Sequence, residues 1–301
     1  MKHKERAIAL GFFDGVHVGH AALVNKTKER ALELGASPAV LTFDVHPEAL
    51  VTGESIPLIT SPAGREFILH QYFGVDEVVC IHFSQEVMHM YWRDFVLSLK
   101  NELDAVALVV GHDFRFGYKG EGTALKLREY GRELGIEVDI IEPVYLDGRI
   151  VSSTYIRQLL KEGRIEEANR FLGHPHSLLD TVRHGMRLGR TLGAPTINMR
   201  FGNGVIVPRY GVYATKVYVD GGEYMGVTNI GVRPTVSQEN QVSVETYILD
   251  FDENVYGKLV RLDFHSFLRP ERKFGSVEEL RECIHQNAEM VRKYFTAGYH
   301  S

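Results

Sequence analysis

Cysteine is scarce in this sequence, which contains only Cys80 and Cys283 among its 301 residues. Two cysteines cannot build a disulfide framework, so a disulfide-stabilised secreted scaffold is excluded and a reducing compartment is expected. Long apolar runs are absent too, since no stretch approaches the roughly 20 residues that a membrane-spanning helix needs. Residues 1–6 are charged and no signal-peptide core follows them. We therefore expect a cytoplasmic protein with no membrane partner.

Positive charge is also in short supply, because 34 Lys and Arg residues face 39 Asp and Glu residues, for a formal net charge of −5. This balance predicts no basic surface, so nucleic acid is not an expected partner. Low-complexity tracts and internal repeats are missing as well. The length is enough for roughly two domains, and the hydrophobic content of 44% is typical of a globular protein.

A glycine-rich stretch at residues 11–20 lies between an apolar strand pattern and a helical pattern. It therefore predicts a turn at the carboxyl end of a strand, which is where ligands bind in open α/β sheets. His17 and His20 are three positions apart and face one spot if the turn is already helical. Imidazole N–H groups beside a helix N-terminus make a phosphate site, although two surface histidines in an ordinary loop fit the spacing equally well.

Strand and helix patterns alternate as far as His176, which predicts a doubly wound parallel sheet and a domain covering residues 1–176. Loops at residues 44–47 and 111–117 are expected at the same sheet edge as the first turn. Strands are predicted at residues 7–10, 38–43, 75–83, 105–110 and 138–144, and helices at residues 21–34, 62–73, 84–100, 123–134, 152–162 and 165–171.

Hydroxyl side chains open the helix predicted at residues 152–162. Ser152, Ser153 and Thr154 offer hydroxyl and backbone N–H groups, and Arg157 lies one turn further on. By themselves they fit an ordinary helix cap. Opposite His17 and His20, they predict that a polyphosphate bridges the two groups.

Residues 177–301 form the second predicted domain, in which short segments rich in β-branched and aromatic residues replace the alternation. This pattern predicts an all-β barrel or sandwich, of which we expect the barrel, with strands at residues 212–219, 224–230, 242–249 and 259–267. Ser276 and Glu279 have the spacing of a capping box and predict a closing helix to about residue 295. Its apolar residues would pack on the barrel: Val277, Leu280, Ile284 and Val291.

The second domain holds another set of polar residues suited to nucleotide chemistry. Gly185 and Gly189 would let backbone N–H groups approach phosphates, and Thr196 and Asn198 would share one face of an extended segment as oxygen ligands of Mg²⁺. Glu245 lies in an apolar strand and could act as a general base for a primary hydroxyl. Spacing alone leaves two other interpretations open, a β-turn with a strand and a rim carboxylate facing water.

Several ordered motifs resemble those of bacterial bifunctional riboflavin kinase/FMN adenylyltransferases, also called FAD synthetases. The resemblance covers nearly the whole chain, and it is specific because many motifs occur in order. The motifs are residues 11–20, 42–47, 111–117 and 151–157 in the first half, and residues 195–198, 229–235, 244–245, 269 and 273–274 in the second. Asp180, Ile197 and Asn287 differ from the pattern usual in that family.

This resemblance implies that the first domain transfers AMP from ATP to FMN and that the second phosphorylates riboflavin with Mg²⁺ and ATP. It implies catalytic roles for His17, His20 and Glu245, and Mg²⁺ binding by Thr196 and Asn198. It implies ATP contacts for Gly11, Phe12, Asp14, His17, His20, Ser152, Ser153, Thr154, Arg157, Gly185, Gly189, Thr196 and Asn198. It implies flavin contacts for Phe43, Asp113, Phe116 and Arg269, although Phe43 and Phe116 could equally be core residues.

Two alternatives remain beside this interpretation. The chain could be an FMN adenylyltransferase alone, with a degenerate kinase-like domain that only binds flavin. It could also be a non-catalytic, flavin-sensing regulator that keeps both folds. The expected partners are flavins (riboflavin, FMN or FAD) and ATP, and the chain is expected to be a monomer or a weak homo-oligomer.

Overall fold

A computed structural model of the chain describes residues 4–53, 55–184, 194–233 and 241–297. The chain divides into two compact units, Met1–Ser153 and Thr154–Ser301. The division falls earlier than the boundary predicted after His176. The reason is that the helix at residues 165–172 packs on the strands of the second unit, where Asn169 Nδ2 donates to the Phe264 carbonyl at 2.7 Å.

The first unit is built on a five-stranded sheet in the order β3-β2-β1-β4-β7, and every neighbouring pair is parallel. This topology brings the carboxyl ends of β1, β2 and β4 to one edge, as the predicted doubly wound sheet requires. The strands of this unit are β1 (Arg6–Leu10), β2 (Ser37–Phe43), β3 (Glu77–Ile81), β4 (Ala105–Gly111), β5 (Arg115–Phe116), β6 (Gly122–Thr123), β7 (Glu137–Ile141), β8 (Tyr145–Leu146) and β9 (Arg149–Ile150).

Helices cover both faces of this sheet. Alternation along β1 sends Ile8 and Leu10 to one face, with the helix at residues 92–103, and Ala9 to the other, with the helices at residues 18–34 and 62–71. The helices are α1 (Val18–Leu34), α2 (Pro47–Thr52), α3 (Pro62–Gln71), α4 (Gln85–His89), α5 (Trp92–Leu103) and α6 (Ala124–Leu134), with a 3₁₀ turn at Tyr118–Gly120.

The single helix predicted at residues 84–100 is wrong, because the chain forms α4 and α5 with a break between them. Met90 and Tyr91 have extended backbone conformations there. The Met90 carbonyl accepts the Tyr118 N–H at 2.8 Å. A hydrogen bond from the 3₁₀ turn after β5 thus replaces one helical bond, and that turn is fixed against the start of α5.

The second unit contains a six-stranded antiparallel sheet in the order β10-β15-β12-β13-β14-β11. Its two edges meet where Arg183 pairs with Asn198 and donates its N–H to the Asn198 carbonyl at 2.9 Å, so the sheet curls into the expected barrel. The elements are α7 (Ser153–Glu162), α8 (Ile165–Leu172), β10 (His176–Thr181), β11 (Thr196–Met199), β12 (Gly211–Val219), β13 (Gly222–Arg233), β14 (Gln241–Ile248), β15 (Leu259–Arg269) and α9 (Val277–Thr296).

The Asp180 side chain stabilises the contact between these two edge strands. Its carboxylate accepts the Arg200 N–H at 2.9 Å and pairs with Arg183 Nη2 at 3.3 Å. The acidic residue that departs from the family pattern therefore fastens the barrel at this point.

Helix α9 packs against the outer face of β12 and β13. Ser276 caps it by accepting the Glu279 N–H at 3.1 Å, as predicted, but the Glu279 carboxylate accepts from Gly275 N instead of closing the box. Val277 is 56% exposed, so its predicted packing on the barrel is wrong. The buried positions of the helix are Cys283, Asn287, Ala288 and Val291.

Candidate active sites

The turn after β1 is held in a strained conformation by its surroundings. Phe13 and Val16 have φ angles of 56° and 43° although neither is glycine, and both side chains are fully buried. The buried Asp14 carboxylate accepts N–H groups from Ile59 at 2.8 Å and Thr60 at 3.3 Å. These contacts stabilise a backbone shape that would otherwise cost free energy. The Asp14 side chain thus fixes the backbone of the turn that forms part of the predicted ATP site.

At the start of α1, the rings of His17 and His20 each accept a hydrogen bond from the backbone N–H of the other residue. His17 Nδ1 accepts the His20 N–H at 3.3 Å, and His20 Nδ1 accepts the His17 N–H at 3.2 Å. The rings stack with their centroids 3.6 Å apart. Because both Nδ1 atoms act as acceptors, the neutral rings carry their protons on Nε2. A side chain at Gly19 would place its Cβ 3.0 Å from the His17 ring, so glycine makes room for this stack.

Burial lowers the pKa of His20 well below its ordinary value, and the positive charges of His17 and Arg65 lower it further. His20 is therefore a neutral imidazole at pH 7 and offers an N–H donor rather than a full positive charge.

The start of α7 lies next to this turn within the first unit. Ser153 Oγ donates to the Asp14 carbonyl at 2.9 Å, and the Val151 carbonyl is 3.7 Å from the position of a Cβ on Gly19. The structure therefore brings Ser152 and Ser153 to the histidine turn. Thr154 and Arg157 follow on the same helix.

The three predicted flavin residues of the first unit have different environments. Phe43 is half-buried at the end of β2, with its ring 5.1 Å from that of Phe83. Asp113 follows β4 and is 82% exposed at its side chain. Phe116 is only 8% exposed and packs in the core with Phe95 and Trp92, which favours its interpretation as a packing residue.

Arg65 in α3 is a buried polar residue beside the turn after β1, and the sequence did not indicate it. Its guanidinium is buried, donates from Nη1 to Thr42 Oγ1 and to the Phe43 carbonyl at 2.7 Å each, and lies 4.1 Å from the centroid of the Phe12 ring. Its position three and four residues before Ile68 and Leu69, on the buried face of α3, is the signal that could have identified it.

In the second unit, strand register places the predicted kinase residues on one face. Asn198 pairs with Glu245 across β11 and β14, and Asn229 pairs with Glu245 across β13 and β14. Thr196 pairs with Tyr247 in the neighbouring row, so Thr196 and Asn198 share a face as expected, and Glu245 lies on the same face. Ile197 is buried on the opposite face of β11.

Two cavities meet at Thr196. The larger, of about 450 Å³, lies between β11 and residues 251–256 and is bordered by Tyr256. The smaller, of about 220 Å³, lies under α9. It is lined by Glu245 and Asn229 of the sheet, by Leu280 and Ile284 of the helix and by Arg269, among others.

Arg269 is oriented by α9, because its Nε donates to Asn287 Oδ1 at 3.2 Å. Asn287 thus uses a neutral oxygen where the family often has a carboxylate. Gly185 and Gly189 lie outside the described residues.

A magnesium ion bound with ATP suits the donors at Thr196 and Asn198. A hydroxyl and an amide supply hard, neutral oxygens, and ATP phosphates can supply the remaining ligands. Within the described ranges, no group of three or more His, Cys, Asp or Glu side chains could hold a metal alone. Among the same residues, no helix is long and apolar enough to cross a bilayer.

The chain thus combines a parallel-sheet unit, in which two histidines follow the first strand, with a barrel in which Glu245 lines the smaller of two adjoining cavities. The family model for FAD synthetase matches residues 1–155, and the model for riboflavin kinase matches residues 172–295. The chain belongs to the family of bifunctional riboflavin kinase/FMN adenylyltransferases, which confirms the resemblance seen in the sequence.

Individual relatives cover almost the whole chain. The bifunctional riboflavin kinase/FMN adenylyltransferase of Listeria monocytogenes is 36% identical over 96% of this chain and 92% of its own length. That of Pseudomonas fluorescens is 36% identical over 99% of this chain and 96% of its own. A solved structure described as a macrolide-efflux protein from Streptococcus pneumoniae has a TM-score of 0.85 and 29% identity, covering 97% of this chain and 95% of that one.

Proposed function

We propose that this chain makes FAD from riboflavin in two steps that each consume ATP. The second unit phosphorylates riboflavin to FMN, and the first transfers AMP from ATP to FMN with release of pyrophosphate. The observation that carries the proposal is that Glu245 lines the cavity under α9, which adjoins the larger cavity at Thr196. Both family models match the chain as well. An adenylyltransferase with an idle kinase unit is not favoured, because the kinase residues keep one common face.

The adenylyl transfer needs positioning more than proton transfer. The phosphate of FMN is an anion at pH 7 and is already a nucleophile, so the site has to align it with the α-phosphate and stabilise the leaving pyrophosphate. The Nε2–H groups of His17 and His20 would donate to these phosphates beside the N-terminus of α1. Gly11 and Phe12 would approach the nucleotide with their backbone.

The hydroxyls at the start of α7 would hold the rest of the triphosphate. Ser152 and Ser153 would bind its β- and γ-phosphates, and Thr154 and Arg157 would extend this contact along the helix. Phe43 and Asp113, at the ends of β2 and β4, would contact the flavin.

The kinase reaction requires a base beside the attacking hydroxyl. Glu245 would take the proton of the primary hydroxyl of riboflavin as it attacks the γ-phosphate of ATP. Thr196 and Asn198 would hold the Mg²⁺, which neutralises phosphate charge. Leu280 and Ile284 would contact the flavin ring, and Arg269, fixed by Asn287, would bind at its polar edge.

Chromatography of flavin products tests both assignments in the full chain. With ATP and Mg²⁺, we expect the double variant His17→Ala, His20→Ala to convert riboflavin to FMN and to make no FAD. We expect Glu245→Gln to convert FMN to FAD and to leave riboflavin unchanged. FAD production by the double variant would show that the histidine site is wrong, and FMN production by Glu245→Gln would show that the base is elsewhere.

The remaining expectations concern the whole chain. We propose that residues 1–176 carry the adenylyltransferase and residues 177–301 the kinase, and that the protein acts in the cytoplasm as a monomer or weak homo-oligomer without nucleic acid. The matched family ranges support this division. Light scattering at several protein concentrations would measure the oligomeric state.

A further inference from the structure

The Arg65 guanidinium is buried without a complete set of partners. The residue is 1% exposed, and its two hydrogen bonds both come from Nη1. Nε and Nη2 are buried and have no hydrogen-bond partner within the part of the chain that the structure describes. Over the same residues, no carboxylate lies within ion-pair distance of this side chain.

The carboxylates whose charges act on Arg65 are held by other groups. Asp14 accepts the N–H groups of Ile59 and Thr60, and Asp44 pairs with His82 at 2.7 Å and accepts the Phe83 N–H at 3.1 Å. Burial lowers the pKa of Arg65, and Asp14 and Asp44 offset that effect only from a distance. A buried cation with so few partners destabilises the fold unless a ligand pairs with it.

The unpartnered atoms have a particular shape. Nε and Nη2 lie on the same side of the guanidinium and carry parallel N–H groups, the pair that binds two oxygens of one phosphate. The opposite corner, Nη1, is fixed to the end of β2 through Thr42 and Phe43. The side chain is therefore anchored at one corner and offers a two-pronged donor at the other.

Arg65 also contacts the turn between β1 and α1, which ends at His17. Its guanidinium lies against the Phe12 ring, and Thr42, which accepts from Arg65, donates to the Phe12 carbonyl at 2.8 Å. The positive charge of Arg65 reaches His20 strongly enough to lower the pKa of that ring.

We propose that Arg65 binds a phosphate group of one substrate of the adenylyl transfer through Nε and Nη2. The group is the phosphate of FMN or a phosphate of ATP, which share the same chemistry. Phe12 lies over the face of the guanidinium, and the phosphate would approach in its plane, where the buried edge with Nε and Nη2 would open to admit it. This inference rests on the proposed adenylyltransferase function.

Steady-state kinetics of FAD formation from FMN test the proposal. Loss of hydrogen bonds to a charged group predicts that Arg65→Met raises one KM by about tenfold or more. A raised KM for FMN assigns Arg65 to the flavin phosphate, and a raised KM for ATP assigns it to the nucleotide. Arg65→Lys keeps the charge and should recover part of the loss.

Arg30→Met is the matched control, because it removes an arginine of the same unit that already pairs with Asp139 at 2.6 Å and has no part in the proposed site. We expect it to change both KM values by less than threefold. Equal effects of Arg30→Met and Arg65→Met, or unchanged KM values in Arg65→Met, would overturn the proposal and leave Arg65 a structural residue.

Two further measurements separate this inference from the function on which it rests. Riboflavin phosphorylation by each variant reports whether the second unit is intact, and it should match the unsubstituted chain. If the unsubstituted chain made no FAD from FMN, the proposed function itself would fail. Thermal unfolding followed by Trp92, the only tryptophan in the sequence, should show that Arg65→Met is at least as stable as the unsubstituted chain, since it loses an unpaired buried charge. A lower unfolding temperature would favour the structural role.

Discussion

The two histidines of the first turn position each other before any ligand is bound. Their spacing of three was visible in the sequence, and so was the helix that follows. The acceptor role of both Nδ1 atoms was not, because it depends on the angle at which the backbone enters α1. Arg65 was missed for a related reason, since its contacts with Phe12 and Thr42 join residues far apart in the chain.

Gly19→Ala tests this preorganisation. The new Cβ would lie 3.0 Å from the His17 ring and displace it. A small misplacement of a positioning group can cost about 100-fold in rate, so we expect FAD formation to fall at least tenfold. Replacing glycine by alanine restricts the unfolded chain and stabilises the fold by about 0.4–1 kcal/mol, which offsets the displaced ring, so the unfolding temperature should not fall. Normal FAD formation in a stable variant would contradict the role given to the ring stack.

A third histidine, His176 in β10, predicts that the barrel loses stability in acid. Burial lowers its pKa to about 3, and the charge of His174 adds to the effect. The unfolded chain binds this proton near pH 6.5, whereas the folded chain resists it, so stability is lost as the pH falls below 6.5. The expected loss is about 2 kcal/mol of unfolding free energy by pH 5.

Hydrogen exchange of the β10 and β15 amides at pH 5 and pH 7.5, corrected for intrinsic rates, measures this loss. His176→Phe, which keeps a ring between Phe201 and Phe264, should reduce it. An equal loss in that variant would assign the acid sensitivity to other groups.

Secondary structure was predictable where the pattern of apolar and polar residues along the sequence agrees with their packing in the folded chain. The alternating strands, the cap at Ser276 and the parallel sheet follow from the order of residues alone. The break between α4 and α5 does not, because it depends on a hydrogen bond from Tyr118 to Met90. The exposure of Val277 was likewise hidden, since the sequence does not say where the barrel surface ends beneath α9.

Gly117→Ala tests the contact between α5 and the turn after β5. Gly117 has a φ angle of 72°, and a Cβ there would lie 2.6 Å from the Trp92 backbone. We expect a loss of about 3 kcal/mol of unfolding free energy, from strain and overpacking together. Gly135→Ala is the control, because Gly135 also has a φ angle of 72° but nothing lies within 4 Å of its Cβ position.

Denaturant unfolding followed by Trp92 fluorescence compares the two variants. The control should lose about 1 kcal/mol from backbone strain alone. Equal losses in the two variants would mean that the close approach to Trp92 contributes nothing.

Each unit of the chain has its own sheet, its own core and its own candidate site. This division was predictable from the change in sequence pattern, although the limit between the compact units was not, because α7 and α8 read as a continuation of the first pattern. A helix pattern alone does not say which sheet the helix will cover.

Independent sites predict that two defective chains can complement each other. An equal mixture of the double variant His17→Ala, His20→Ala with Glu245→Gln should convert riboflavin to FAD, because FMN made by one chain can be used by the other. Time courses of FMN and FAD would show a lag in FAD that shortens at higher protein concentration. No FAD from the mixture, with each variant active in its own step, would mean that FMN is not exchanged between molecules.

The barrel closes at Asn198, whose backbone carbonyl joins the two edge strands while its side chain lies on the reactive face with Glu245. A nucleotide bound at Asn198 would hold these two edge strands together. Ligand binding would then also raise the stability of the barrel, and we expect a protease to cleave the barrel more slowly when ATP and Mg²⁺ are present.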